Sequence, residues 1–189
     1  MKRTNAIAGY LGIMIFVVVG DLWSKAYFFD LLDVQVLAVD GTSRIVRAIT
    51  REVIPNWFEL EAVLNYGAFS GWFAGMTWML TAVSVIAVCA TTSMVAFPAS
   101  TRGGLAVALG LVAGGALGNV YDRVTLGAVR DFLKFFYVDG GGKAHVWPNF
   151  NVADSAICVG VGWIILMEFF GPKATSPAAG PKENAPGSA

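Results

Sequence analysis

Two long stretches without a charged residue constrain what this sequence of 189 residues can fold into. One runs from Ala62 to Thr101 and the other from Gly103 to Tyr121, and charged residues make up only 14% of the chain. Soluble domains contain closer to a quarter of such residues, and about 20 apolar residues suffice for a helix to cross a bilayer. We therefore expect an α-helical integral membrane protein.

Apolar segments of spanning length occur four times. The first resembles a secretory signal, but it continues to about Phe29 without a small-residue cleavage site, so we interpret it as a retained helix. Together the four helices are predicted to form a single membrane domain over 1–171. The predicted helices cover about 6–29, 70–97, 103–121 and 152–170.

Four spans place both termini on the same side of the membrane. That side has more basic than acidic residues, and basic residues in short flanking loops favour the cytoplasm. We predict cytoplasmic termini, including a disordered tail over 172–189 that is rich in Pro, Ala and Gly. The charged residues on this side are Lys2, Arg3, Arg102, Glu168, Lys173, Lys182 and Glu183.

The segment between the first two helices, about 30–69, has a strand-like pattern. Val34 to Val39 is followed by Asp40-Gly41, a dipeptide typical of hairpin turns. From Phe58 to Asn65 apolar residues alternate with mostly polar ones, as in a strand with one apolar face. These patterns predict β structure outside the membrane.

A second hairpin is predicted within about 132–150. It runs from Phe132 to Val138, turns at Asp139–Gly142 and returns toward Trp147. Its aromatic residues are typical of membrane–water interfaces. We expect both β regions to form a small cradle on the outer leaflet.

The third predicted helix has glycine at every fourth position, at Gly110, Gly114 and Gly118. One face of this helix therefore has almost no side chains. Small residues allow close packing of membrane helices. The same face is also a candidate for contact with a substrate.

Asp131 and Asp154 are the strongest candidates for a functional site. Asp131 follows the third apolar segment and Asp154 begins the fourth, so antiparallel helices place both carboxylates at the same outward membrane face. Ionisable residues at this depth are functional candidates. Two carboxylates that share a proton are the catalytic groups of an aspartic protease. The alternative is two unrelated interfacial carboxylates.

Other polar residues occur close to the same face. Asp21 and Lys25 are four residues apart and share a helix face, either as an ion pair or as residues that line a site. Asn119, Asp122 and Arg123 form either a helix-end network or, for Arg123, a contact with a substrate carbonyl or with the aspartates.

Composition excludes several other functions. The net charge of zero provides no basic surface for nucleic acid. The single His145 and the dispersed Cys89 and Cys158 do not provide a metal site, and both cysteines are expected to be free thiols. We therefore predict no metal, no cofactor and no nucleic-acid partner.

Five sequence blocks, in the same order along the chain, resemble the lipoprotein signal peptidase family (signal peptidase II). They extend from the first predicted helix to the last and leave only the tail uncovered. The blocks are GDLWSK (Gly20–Lys25), LNYGAFSG (Leu64–Gly71), GGALGNVYDR (Gly114–Arg123), VRDF (Val129–Phe132) and WPNFNVADSAI (Trp147–Ile157).

This resemblance implies a four-helix aspartic endopeptidase of the bacterial inner membrane with a periplasmic β cradle. Such an enzyme cleaves the signal peptide from diacylglyceryl-modified prolipoproteins before the lipidated cysteine, with Asp131 and Asp154 as its catalytic pair. Its expected partners are lipidated prolipoproteins and membrane lipids, and the expected state is a monomer. Residues expected to bind substrate or brace the site are Asp21, Lys25, Asn65, Gly67, Asn119, Asp122, Arg123 and Asn151.

Two other functions remain as alternatives. A small transporter or channel subunit would have charges near mid-membrane and broken helices, whereas these charges cluster at one face. A catalytically inactive relative that binds lipoproteins is disfavoured because both aspartates and the surrounding asparagines are present.

Overall fold

The computed structural model describes residues 2–39, 42–67, 75–97 and 102–170. Its four helices are all long and apolar enough to cross a membrane. A small β sheet and a separate hairpin complete the described part. In chain order the elements are α1 (Arg3–Leu31), β1 (Gln35–Val39), β2 (Thr42–Arg47), β3 (Arg51–Ile54), β4 (Phe58–Asn65), α2 (Thr77–Ala96), α3 (Gly103–Leu126), β5 (Val129–Val138), β6 (Ala144–Val146) and α4 (Val152–Phe170).

Helix α3 is the central helix of the bundle. In its most apolar window 56% of the residues are buried, against 22% or less in the other three helices. Its glycines explain this close packing, because a Cβ at Gly110 would lie 2.8 Å from the backbone oxygen of Tyr10, and one at Gly114 would lie 2.7 Å from Cβ of Val17. The glycine face therefore packs against α1. The hypothesis that a substrate lies on this face is wrong, since another helix occupies it.

Helix α1 extends over Arg3–Leu31 rather than 6–29, and two other helix ends differ from the predicted ones where glycine controls the backbone. Helix α3 continues five residues past the predicted end at 121, until Gly127 adopts φ 72° and its N–H bonds to the Arg123 carbonyl. Helix α2 begins later than predicted, because Gly75 has φ 82° and Met76 is not helical. The predicted start over 70–74 lies outside the described residues. Helix α4 has the predicted bounds.

The predicted hairpins are present. Strands β1 and β2 pair antiparallel, with Val39 opposite Thr42, and the predicted turn at Asp40-Gly41 lies outside the described residues. Strand β4 has the predicted bounds, and β5 pairs with both β4 and β6 in a sheet of order β3-β4-β5-β6. Strand β5 begins at Val129 rather than Phe132, so Asp131 lies inside a strand.

The four-stranded sheet packs against the C-terminal end of α1. Phe132 and Leu60 are buried together with Phe29 and Leu32, and the ring of Phe28 stacks on Phe132 with centroids 4.6 Å apart. Burial of these side chains from water stabilises the contact by roughly 1.5–3 kcal/mol each. The sheet is thereby held where Asp131 reaches the helix bundle.

Candidate active site

Asn151 and Asp154 cap the start of helix α4 together. The Asp154 N–H donates to Oδ1 of Asn151 at 2.9 Å, and the Asn151 N–H donates to Oδ2 of Asp154 at 3.2 Å. This reciprocal arrangement is a capping box, which satisfies two backbone donors that the first turn of a helix leaves without partners. It also fixes the orientation of the Asp154 carboxylate.

Asn151 contacts the second carboxylate as well. Its side-chain amide donates to Oδ1 of Asp131 at 2.8 Å. The other oxygen, Oδ2, accepts a 3.0 Å hydrogen bond from Asn65, and Asn65 is oriented by the Gly67 N–H, which donates to its Oδ1. The Asp131 carboxylate is almost fully buried. A single asparagine therefore connects the strand that carries Asp131 to the helix that carries Asp154.

Asn119 on α3 connects Asp154 to Asn151 and to Lys25 by hydrogen bonds. Its amide donates to Oδ1 of Asp154 at 2.8 Å. Its Oδ1 accepts from Nζ of Lys25 at 3.0 Å and from the Asn151 amide at 3.2 Å. Because the ammonium can only donate, it determines which side of the Asn119 amide faces Asp154.

A layer of four charged residues lies behind these asparagines. Nζ of Lys25 is 2.7 Å from Asp21 and 3.3 Å from Asp122, and all three side chains are completely buried. Arg130 completes the layer with a 2.7 Å ion pair to Asp122. Asp21 also accepts the Ala153 N–H at 2.9 Å, at the positive end of α4. Two anions and two cations thus compensate one another.

The surroundings of Asp131 favour its protonated form. Burial, followed by the negative charge of Asp154, raises the pKa of Asp131 from 3.8 to about 7, although hydrogen bonds from Asn65 and Asn151 and the charge of Lys25 act in the opposite direction. Asp131 therefore exchanges its proton near neutral pH.

The two aspartates open into a cavity of about 550 Å³. Its polar end contains Asn65, Asn119 and Arg123 beside the carboxylates. Its other walls are mostly apolar: Trp147 and Phe150 belong to the segment before α4, Ile157 and Val159 to α4, and Ser84 to α2. The cavity combines a charged end with an apolar wall, as expected of a binding site.

The structure brings the predicted site residues together, but in two layers. Asn65, Gly67, Asn119 and Arg123 line the cavity with both aspartates. Asp21, Lys25 and Asp122 lie behind it, and Asn151 bridges the carboxylates. The guanidinium of Arg123 donates to the Gly67 carbonyl at 3.5 Å.

Arg130 is part of this site and was not predicted. It lies between Val129 and Asp131 in the VRDF block. Its partner Asp122 is eight residues away across the end of α3, and the left-handed turn at Gly127 reverses the chain between them. Neither helical nor strand periodicity brings residues eight apart across such a turn together, so the position next to Asp131 was the one signal in the sequence.

The fold and the site define a polytopic membrane protein with paired carboxylates at the rim of its helix bundle. The family model described as signal peptidase (SPase) II matches residues 13–170. The chain therefore belongs to the signal peptidase II family and is a membrane aspartic protease.

Known relatives agree with this family. The lipoprotein signal peptidase of Desulfitobacterium hafniense is 37% identical over 157 residues, which cover 82% of this chain and 92% of that protein. The one from Symbiobacterium thermophilum is 44% identical over 115 residues, covering 61% and 72% respectively. A solved structure of a bacterial membrane enzyme superposes with a TM-score of 0.67 at 27% identity, covering 88% of this chain and 93% of the other. The transporter or channel alternative is not supported.

Proposed function

We propose that this protein removes the signal peptide from diacylglyceryl-modified prolipoproteins, cleaving before the lipidated cysteine, with Asp131 and Asp154 as its catalytic pair. The observation that carries the assignment is the position of Asn151, which donates to both carboxylates at the edge of the cavity. The substrate class rests on the family to which the chain belongs.

The carboxylate pair, Asp131 and Asp154, acts by general acid–base catalysis. With a pKa of about 7 for Asp131, the singly protonated pair is populated up to about neutral pH. The ionised carboxylate takes a proton from a water molecule as that water attacks the peptide carbonyl. The protonated carboxyl group donates a hydrogen bond to the carbonyl oxygen, and a proton then passes to the leaving amine.

Arg123 balances the charge of this pair. The four buried charges behind the asparagines compensate one another, so a singly protonated pair leaves one negative charge in the cavity. Arg123 lines the same cavity, and its cation offsets that charge. Since its contact to the Gly67 carbonyl is 3.5 Å long, the guanidinium can also donate to a carbonyl of the substrate.

The apolar walls of the cavity suit a lipid-linked substrate. Ser84 of α2 and Val159 of α4 face the cavity from two helices that flank α3, so a signal peptide can reach the carboxylates from the bilayer. Each buried acyl methylene contributes about 0.8 kcal/mol, but a signal peptide without lipid also partitions into the membrane. Discrimination must therefore arise from the glyceryl linkage near the carboxylate pair.

The site is expected to face the periplasm, with both termini in the cytoplasm. Three of the five exposed tryptophans among the described residues mark the end of the bundle near the site as a membrane interface: Trp23 on α1, Trp78 at the start of α2, and Trp147 before α4. Tryptophan is enriched at such interfaces. A monomer contains all the site residues described, with lipids and lipidated prolipoproteins as its partners, and nucleic acid is not expected at zero net charge.

The decisive experiment compares a synthetic diacylglyceryl-modified precursor peptide with its unlipidated form at equal surface density in micelles. We expect cleavage of the lipidated peptide, with mass spectrometry locating the cut before the modified cysteine. Equal rates on both peptides would show that the enzyme recognises a bare signal peptide and would contradict the substrate assignment.

The same assay tests the catalytic pair. Asp131→Asn and Asp154→Asn are each expected to reduce the rate by several orders of magnitude, because an amide cannot exchange the proton. Asp33→Asn is the matched control, since Asp33 is half exposed and has φ 48°, a conformation that asparagine also tolerates. Wild-type activity in either of the first two variants would refute the assignment.

A further inference from the structure

Arg130 binds the carboxylate of Asp122 with both its side chain and its backbone. Its Nη2 and Nε donate to Oδ1 of Asp122 at 2.7 and 3.2 Å, and its backbone N–H donates to Oδ2 at 3.0 Å. Asp122 lies near the end of α3 and Arg130 near the start of β5. The side chain and the backbone of Arg130 therefore both hold the first residues of β5 against the helix.

The same residue is linked to the far side of the site. The Arg130 carbonyl accepts a 3.3 Å hydrogen bond from the Asn151 amide, the group that also donates to Asp131. Asp131 follows Arg130 directly in the chain. The backbone that carries Asp131 is thus held by Asp122 on one side and by Asn151 on the other.

Arg130 also completes the charge balance behind the carboxylate pair. Without its cation, Lys25 alone would face both Asp21 and Asp122 in a fully buried environment. A buried carboxylate that loses its partner is strongly unfavourable, so Asp122 would attract the Lys25 ammonium more strongly. Lys25 would then move away from Asn119, which it orients toward Asp154.

We propose that Arg130 is a positioning residue of the protease: through Asp122 it fixes the backbone of Asp131 and keeps Lys25 bound to Asn119. This proposal rests on the assignment of Asp131 and Asp154 as the catalytic pair. Arg130 itself contacts no reacting atom. It acts on geometry at Asp131 and on the electrostatic environment of the pair.

The environment of Asp131 determines the direction of the expected change in pH dependence. Asp154 faces it from α4, Lys25 from α1 and Arg123 from α3. The charge of Lys25 lowers the pKa of Asp131. Withdrawal of Lys25 toward Asp122 would therefore raise this pKa further and keep the pair protonated to higher pH.

The test uses Arg130→Gln in the purified full-length protein with the lipidated precursor peptide. We expect kcat per folded molecule to fall by up to about 100-fold with little change in KM. We also expect the pH above which the rate declines to rise by about one unit. The double variant Asp122→Asn/Arg130→Gln removes both charges, so the pH at which its rate declines should return toward the wild-type value. Arg47→Gln is the control, because its pair with Asp33 is exposed.

A wild-type kcat and pH profile in folded Arg130→Gln would overturn the proposal, as would a lower unfolding temperature with both kinetic properties unchanged. If this variant does not fold, Arg130→Lys decides. Lysine keeps the positive charge but not the two parallel N–H donors of the guanidinium. The value of kcat should therefore fall while the pH at which the rate declines stays unchanged, and a wild-type kcat would again overturn the proposal. Asp131→Asn is assayed in parallel, because activity in that variant would instead refute the catalytic pair.

Discussion

Gly118 is the position where a single methyl group should disturb the buried charges most. A Cβ built there would overlap Oδ2 of Asp21 and lie 3.1 Å from its Cγ. The Asp21 carboxylate cannot move away from an added methyl group without losing a hydrogen bond, since Oδ2 binds Lys25 at 2.7 Å and Oδ1 accepts the Ala153 N–H at 2.9 Å. Gly118→Ala must therefore break one of these contacts.

Three energies bear on the magnitude, and the first of them is relieved when Asp21 moves. Overpacking of a well-packed interior costs about 1–3 kcal/mol, and removing one partner of a buried ion pair costs about 3–5 kcal/mol. Alanine favours a helix over glycine by about 1 kcal/mol. Since displacement of Asp21 relieves the overlap by breaking the ion pair, we expect Gly118→Ala to lower the free energy of unfolding by about 2–4 kcal/mol.

Two other glycines provide matched controls. Gly12 in α1 has no atom within 4 Å of the place that an added methyl group would occupy, so Gly12→Ala should be neutral or slightly stabilising. A Cβ at Gly114 would lie 2.7 Å from Cβ of Val17 and 2.8 Å from the Met14 carbonyl. Gly114→Ala therefore overpacks the same pair of helices without touching a charge.

Thermal unfolding followed by circular dichroism in micelles, together with the cleavage rate per folded molecule, separates these effects. Both Gly114→Ala and Gly118→Ala should unfold at lower temperature than Gly12→Ala. Only Gly118→Ala should also lower the cleavage rate, because Lys25 then loses its place beside Asn119. If Gly118→Ala matches Gly12→Ala in both measurements, the close approach of Asp21 does not matter for stability or activity.

Four further predictions concern conditions and topology. The value of kcat/KM should fall above about pH 7 as the proton on Asp131 is lost, and a rate that stays constant to high pH would contradict this. The raised pKa also means that the folded state loses stability as pH rises from 3.8 toward 7, so Asp131→Asn should flatten the decline of unfolding temperature in that range. Cleavage should survive strong chelators, since the carboxylate pair needs no Lewis acid, and zinc-dependent recovery after chelation would refute this. In intact spheroplasts an impermeant thiol reagent should label Lys143→Cys but not Ser188→Cys, and the reverse pattern would invert the topology.

The sequence predicted elements well where one physical pattern dominates. Helix α4 and strand β4 have the predicted bounds because each shows one uninterrupted pattern, apolar length for the helix and alternation for the strand. Strand β3 was not predicted individually, since all four of its residues are exposed and no burial pattern sets them apart. The start of α2 was misplaced because hydropathy does not reveal the positive φ of Gly75.

The site was predicted as a set of residues but not as an arrangement. The positions of Asp131 and Asp154 beside two apolar segments identified the carboxylates, and the family resemblance added Asn151. The sequence did not reveal that Asn151 donates hydrogen bonds to both carboxylates, or that Asp21 packs directly against Gly118. Both are contacts between distant segments of the chain. Arg130 was missed for the same reason, since its importance depends on a turn whose geometry the sequence alone does not specify.

The two carboxylates belong to different structural units, Asp131 to the sheet and Asp154 to the helix bundle, and this division has a consequence for biogenesis. A chain whose helices have inserted but whose strands have not docked has Asp154 in the bundle without Asp131 beside it. We therefore expect proteolytic activity to appear only once the sheet has docked on the helix bundle.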